Sequence, residues 1–137
     1  MLSSMLTSYL STHPVDQLFV GKISRKASHV KRVAQIVVDY PDIFMKEGMD
    51  IVLLQLCAEH HDDGRAYQYE KSGVLNDTIL SHQDAGAQLV QEYCSRIFGT
   101  DNFPEDVRTL MAVMKYHGRL DKAHQDGISG VTLSYVE

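Results

Sequence analysis

The chain has 137 residues, 44% of them apolar and 23% charged, which is the length and balance of one soluble domain able to bury a core. Its formal net charge of −5 argues against bulk electrostatic binding of nucleic acid or of an anionic membrane surface. No apolar run reaches the length of a bilayer span, and residues 1–13, broken by serines and threonines, lack the basic and apolar regions of a signal peptide, so a cytoplasmic protein is expected.

Helical periodicity dominates, with no internal repeat or low-complexity tract. Short helices are predicted over 3–11 and 15–22, the first ended by His13-Pro14. A stronger helix is predicted from Ser28 to Tyr40, capped by Ser24 or Ser28 and stopped by Pro41. The next runs from Met49 to His61. Its stretch from Ile51 to Ala58 is apolar nearly all round, which predicts a central helix buried on every side. Residues 64–79 carry glycines and charges without a clean period and read as a loop.

A third strong helix is predicted from Ser81 to Phe98, closed by Gly99. A fourth runs from Pro104 to His117, with Pro104, Glu105 and Asp106 in its first turn and Gly118 as its stop. Residues 118–131 read as a glycine-rich polar connection, and 134–137 as the opening of a further element. A strand over 131–136 is locally plausible but has no partner strand elsewhere. Cys57 and Cys94 fall within apolar helical patterns, so buried free thiols are expected rather than a disulfide. The reading is one all-α domain over residues 1–137, a bundle of about five to six helices.

Chemistry concentrates in Glu59-His-His-Asp-Asp-Gly-Arg65, at the end of the second strong helix. Further histidines sit on apparent core-facing stripes of other helices: His29 with Val33, Ile36 and Tyr40; His82 with Gly86, Leu89 and Tyr93; His117 with Val107, Leu110 and Met114. A single histidine on an apolar face is more often a hydrogen-bonded core residue than a ligand. Four on four helices, with an adjacent His-Asp pair, reverse that balance, because one shared cation supplies a partner for several buried imidazoles at once. Imidazole and carboxylate suit manganese, magnesium, iron, zinc, nickel or cobalt, and the donor types alone do not select among them. Asp62 adds negative charge and can bridge two ions. His60 points elsewhere and reads as support, and His13 and His124 as solvated loop residues. The basic residues Lys22, Arg25, Lys26, Lys31 and Arg32 flank His29 either as a solvated helix start or as an anion-attracting rim.

Taken in order, His29, His61-Asp62, His82 and His117 resemble the pattern of the HD-domain metal-dependent phosphohydrolases. The likeness is carried by Ser28-His-Val-Lys-Arg-Val-Ala34, Cys57-Ala-Glu-His-His-Asp-Asp-Gly-Arg65 and Ser81-His-Gln-Asp-Ala-Gly-Ala87, and covers roughly residues 22–120. The resemblance implies an all-helical bundle that hydrolyses phosphomonoester, phosphodiester or nucleotide bonds with a divalent metal ion. By motif, His29, His61 and Asp62 would ligate the principal metal. His82 and His117 would hold a second metal or meet the substrate phosphate. Asp62, Asp63, His82 and His117 are the candidate catalytic residues, with Asp63 or His82 handling protons, and Arg32, Arg65 and Lys115 are candidates for the phosphate.

Two positions depart from the family pattern. Asp63 stands where an aliphatic residue is usual. The family closes its first metal site with an aspartate on a further helix, which here is expected to be truncated after Glu137, or replaced from a loop (Asp121 or Asp126) or a partner chain. The expected partner is a small phosphate or nucleotide substrate, with no membrane and with oligomeric state left open. A catalytically silent module, or a metal-binding protein without hydrolysis, is the alternative.

Overall fold

The structure is a computed structural model that describes residues 2–12, 24–73, 76–78 and 80–137, with residues 12 and 24–27 described by their backbone alone. The predicted helix over 15–22, His13 and Lys22 lie outside the described residues. The described helices are α1 (Ser4–Thr12), α2 (Ser24–Asp39), α3 (Pro41–Phe44), α4 (Ile51–His60), α5 (Asp63–Ser72), α6 (His82–Phe98), α7 (Glu105–Tyr116), α8 (Leu120–Gln125) and α9 (Gly130–Val136). Among the described residues there is no strand, so the fold is all-helical.

Local chemistry sets the helix ends. The Asp50 carboxylate accepts from the backbone N–H groups of Val52 and Leu53 and starts α4. Ser81 Oγ accepts from Asp84 N at the start of α6, and Gly99, in the left-handed region at φ +67°, closes it. α2 begins at Ser24, a turn earlier than predicted, so Ser28 lies inside the helix and is not its cap.

The helices pack in the spatial order α2, α4, α7, α6, α5, with α1 laid across α6 and α7 and α9 against α7. Leu6, Tyr9, Val90, Cys94, Val107, Leu110 and Met114 are almost fully buried at the centre. The central helix is therefore α7, which meets α1, α4, α6, α8 and α9. The expectation that α4 is buried on every side is corrected: Val52 is 53% exposed, because α4 is covered by α2 and α7 and leaves a third side to solvent. On α2 the buried stripe is Val30, Ala34 and Val37, one residue round from the predicted one, and Ile36 and Tyr40 are exposed. At the N-terminal edge, Ser3 donates its backbone N–H and its hydroxyl to the two oxygens of Asp106, tying the start of α1 to that of α7.

The segment 64–79 is not a loop throughout, because 63–72 forms α5. Its inner face is Gly64, Ala66, Tyr67 and Gln68, too poor in aliphatic carbon to show a hydrophobic period. Gln68 is fully buried yet satisfied: its amide donates to Asp77 Oδ1 and to the Leu80 carbonyl and accepts from Arg65. The connection 118–131 contains α8, and the last element starts at Gly130, four residues before the predicted opening. It packs on α7 through Tyr135 and Val136, and the Tyr135 phenol oxygen accepts from Asp50 N at 2.6 Å.

Cys57 and Cys94 are buried free thiols, as expected, and burial pushes the Cys57 thiol up to about 12. Among the described residues no helix is long and apolar enough to cross a membrane.

Candidate metal centre

The turn between α4 and α5 presents Asp62 to three other helices. α4 ends at His60, His61 follows in helical geometry, and Asp62 breaks the helix before α5 starts. The close approach of α6 requires a glycine at position 64. A Cβ there would lie 1.8 Å from the His82 carbonyl oxygen and 2.6 Å from Gly86 N. Gly86 in turn lies against Met114, one turn before His117. Two side-chain-free positions thus let α5, α6 and α7 meet closely enough to bring Asp62, His82 and His117 together.

The Asp62 side chain is 5% exposed and faces four imidazoles. Its Oδ2 lies 3.4 Å from His29 Nε2 and 3.4 Å from His61 Nε2. Its Oδ1 lies 3.2 Å from His117 Nε2 and 3.6 Å from His82 Nε2, and those two nitrogens are 3.0 Å apart. The ligand atoms form two groups that share Asp62: His29–His61–Asp62 and Asp62–His82–His117. The His29 side chain is 41% exposed, so the cluster opens to solvent on the α2 side.

The outer ring nitrogens decide what the inner ones offer. His61 Nδ1 lies 2.6 Å from the Ala58 carbonyl, His117 Nδ1 2.8 Å from the Met114 carbonyl, and His82 Nδ1 3.0 Å from Asp77 Oδ1. Each of these partners only accepts, so Nδ1 carries the proton in all three rings. All three rings turn their Nε2 atoms toward one another and toward the Asp62 carboxylate, and a ring protonated at Nδ1 alone presents a lone pair there. Such a set of donors could hold a cation. Donors held about 2.1 Å from a metal ion stand about 3.0 Å apart at right angles and about 3.4 Å apart at the tetrahedral angle. The observed spacings of 3.0–3.6 Å fit that geometry. Each group could therefore hold a metal ion, and Asp62 would contribute to both.

Protonation follows the same lines. Burial lowers the His61 and His82 imidazoles below their ordinary range and keeps them neutral and ready to ligate, more than offsetting Asp62 beside the first and Asp77 beside the second. Burial alone would raise the Asp62 carboxyl, but the imidazoles packed against it, His117 at 3.2 Å foremost and then His61 and His82, outweigh it and hold it well below the usual carboxylate range.

The other sequence candidates fall around this centre. Asp63, fully buried, belongs to neither ligand group, and its Oδ2 meets the Tyr9 hydroxyl at 2.8 Å and His60 Nδ1 at 2.7 Å. His60 likewise belongs to neither ligand group. Arg65 donates through Nη1 to Gln68 and to Asp77, and its Nε is buried with no partner. Arg32 is exposed on α2, Lys115 rests over the Tyr116 ring, and His124 is exposed on α8. Of the flanking basic residues, Lys31 is exposed and the side chains of Arg25 and Lys26 are not described. Asp121 and Asp126, the suggested substitute ligands, belong to neither group: Asp121 is exposed on α8, and Asp126 accepts from the Tyr116 hydroxyl. Sequence reasoning missed Tyr9, Gln68 and Asp77, which act through tertiary hydrogen bonds. The only signal at Asp77 was an acidic residue five positions before a candidate ligand.

Behind the cluster, His61 and His117 wall a cavity of about 300 Å³ that is otherwise largely apolar, with Val33, Val37, Leu54 and Val113 among its lining. Comparison with protein-family models, with curated proteins and with solved structures gave no match.

Proposed function

We propose that this chain is a metal-dependent phosphohydrolase of the HD-domain type, acting on a phosphomonoester, phosphodiester or nucleotide. The observation that carries the reading is the convergence of His29, His61, His82 and His117 on one buried carboxylate, with three of the rings fixed to aim Nε2 inward. A divalent ion in such a site supplies a water acidified from about 16 to about 7 and neutralises phosphate charge. The residues of this chain hold and orient. Asp62 joins the two ligand groups, the half-exposed His29 edge admits substrate, and the cavity beside His61 and His117 has room for its organic portion. Arg65 adds positive charge beside His82. The order of motifs along the chain supports the family assignment, and the all-helical bundle agrees with it.

A cation-binding module without turnover is the alternative. It is favoured by Asp121 and Asp126 both lying outside the ligand groups. Metal analysis of the purified chain, with hydrolysis of a generic aryl phosphodiester and a nucleotide panel, separates the two. The hydrolase reading expects bound cation and turnover, both lost in His61→Ala and Asp62→Ala. Cation without turnover supports the module. A wild-type chain that takes up no cation overturns the metal-centre reading itself.

A further inference from the structure

We infer that Asp77 is the positioning residue for His82, fixing which ring nitrogen faces Asp62 and His117 and so controlling whether that half of the centre takes a cation. The inference rests on the metal-centre reading and concerns a residue that provides no ligand atom. Asp77 Oδ1 accepts from four N–H groups: His82 Nδ1 at 3.0 Å, the His82 backbone N at 3.0 Å, Gln68 Nε2 at 2.9 Å and Arg65 Nη1 at 3.1 Å. The two bonds from His82 fix its backbone and its ring together, at the first residue of α6, where a helical N–H has no partner of its own. The two bonds from α5 anchor the carboxylate from the other side. Asp77 is thereby held in place even though its side chain is 47% exposed.

The contrast with the other rings shows why this position matters. His61 and His117 give their Nδ1 protons to backbone carbonyls, which no side-chain substitution removes. His82 gives its own to a carboxylate, a stronger and removable acceptor that raises the ligand basicity of Nε2. Without Asp77 the His82 proton can move to Nε2 and donate to His117 Nε2, 3.0 Å away. The pair would then satisfy itself by a hydrogen bond and compete with the cation. Asp77 holds that alternative off.

The test uses the full chain with Asp77→Ala and Asp77→Asn, each checked for unchanged helical circular dichroism. Long-range proton–nitrogen NMR of the cation-free chain at pH 7.5 reads the His82 tautomer, and titration with Mn²⁺ or Co²⁺ reads the loading of each group. We expect the Nδ1–H form in wild type and in Asp77→Asn, whose amide oxygen still accepts, and a shift toward Nε2–H in Asp77→Ala. We expect cation affinity at the Asp62–His82–His117 group to fall about 10–100-fold in Asp77→Ala, with the His29–His61–Asp62 group loading as before. An unchanged tautomer and loading in Asp77→Ala would overturn the inference, and so would equal weakening of both groups. If wild type binds no cation, the metal-centre reading fails, and the tautomer shift alone then decides the role of Asp77.

Discussion

Asp62 gives one carboxylate oxygen to each half of the cluster, so substitutions here and at the histidines differ in reach. His29 meets only Oδ2 and stands on the solvent side. His29→Ala should lower cation loading of the His29–His61–Asp62 group by at least about tenfold, as removal of a ligand costs no less than removal of its support, and leave the other group loaded. Asp62→Asn keeps the shape but removes the bridging charge, and should lower both. Cation per chain, measured by atomic emission after dialysis, distinguishes the patterns, and equal loss in the two variants would contradict the division into two groups. The five residues of the cluster were legible in the sequence because histidine and aspartate are chemically conspicuous on helical stripes. Asp77, Tyr9 and Gln68 were not, because an aspartate, a tyrosine and a glutamine have many ordinary uses and only the packing of α1, α5 and α6 brings them to the site.

The contact between α5 and α6 is what carries Asp62 to His82. At Gly64 an added methyl would collide with backbone, the His82 carbonyl at 1.8 Å and Gly86 N at 2.6 Å, and neither atom can rotate away. At Gly86 the nearest atoms are in the Met114 side chain, 3.2 and 3.3 Å distant, and can shift slightly. Gly64→Ala should therefore cost about 1–3 kcal/mol or more through overpacking, enough to lower the melting temperature by several degrees. Gly86→Ala should cost less. Thermal melts of both variants check the order, and Gly64→Ala should also weaken cation loading of the Asp62–His82–His117 group, since the helix it moves carries Asp77's anchors. The strong helices were readable because their apolar stripes, caps and stops agree, as in α6 with Ser81 and Gly99. α5 was read as loop because its inner face is a glycine, an alanine, a tyrosine and a hydrogen-bonded amide. Periodicity counts apolar carbon and cannot see a buried glutamine that is satisfied.

Across the whole molecule, titratable groups shifted by the fold set a pH window for folding. His61 and His82 are lowered by burial from an ordinary 6.5, so as pH falls below that value the unfolded chain takes up protons first and stability is lost. Asp62 and Asp77 are also held below their ordinary 3.8: desolvation opposes the shift in each, and hydrogen bonds and nearby imidazoles reverse it. Their contribution is present above 3.8 and is lost as pH falls further, in the same direction as the histidines. On the alkaline side, burial raises Cys57 from 9.0 to about 12. Burial and hydrogen bonds to Glu92 and Asp126 raise Tyr67 and Tyr116 from 10.0 to about 12. These groups ionise first in the unfolded chain, so their contribution is complete below 9 and declines above it. The cation-free chain should show a plateau of thermal stability between about pH 6.5 and 9. A first acid decline should begin as pH falls below 6.5, and a steeper one below 4. A divalent ion at 100 times its Kd should raise the plateau by about 2.7 kcal/mol and steepen the first decline, because it binds neutral imidazoles only. Melting curves from pH 3 to 11, with chelator and with Mn²⁺, measure both effects. A midpoint that stays flat from pH 7 to 5 in chelator would show that His61 and His82 are not buried as neutral rings, and the lone-pair argument for a cation would fall with it.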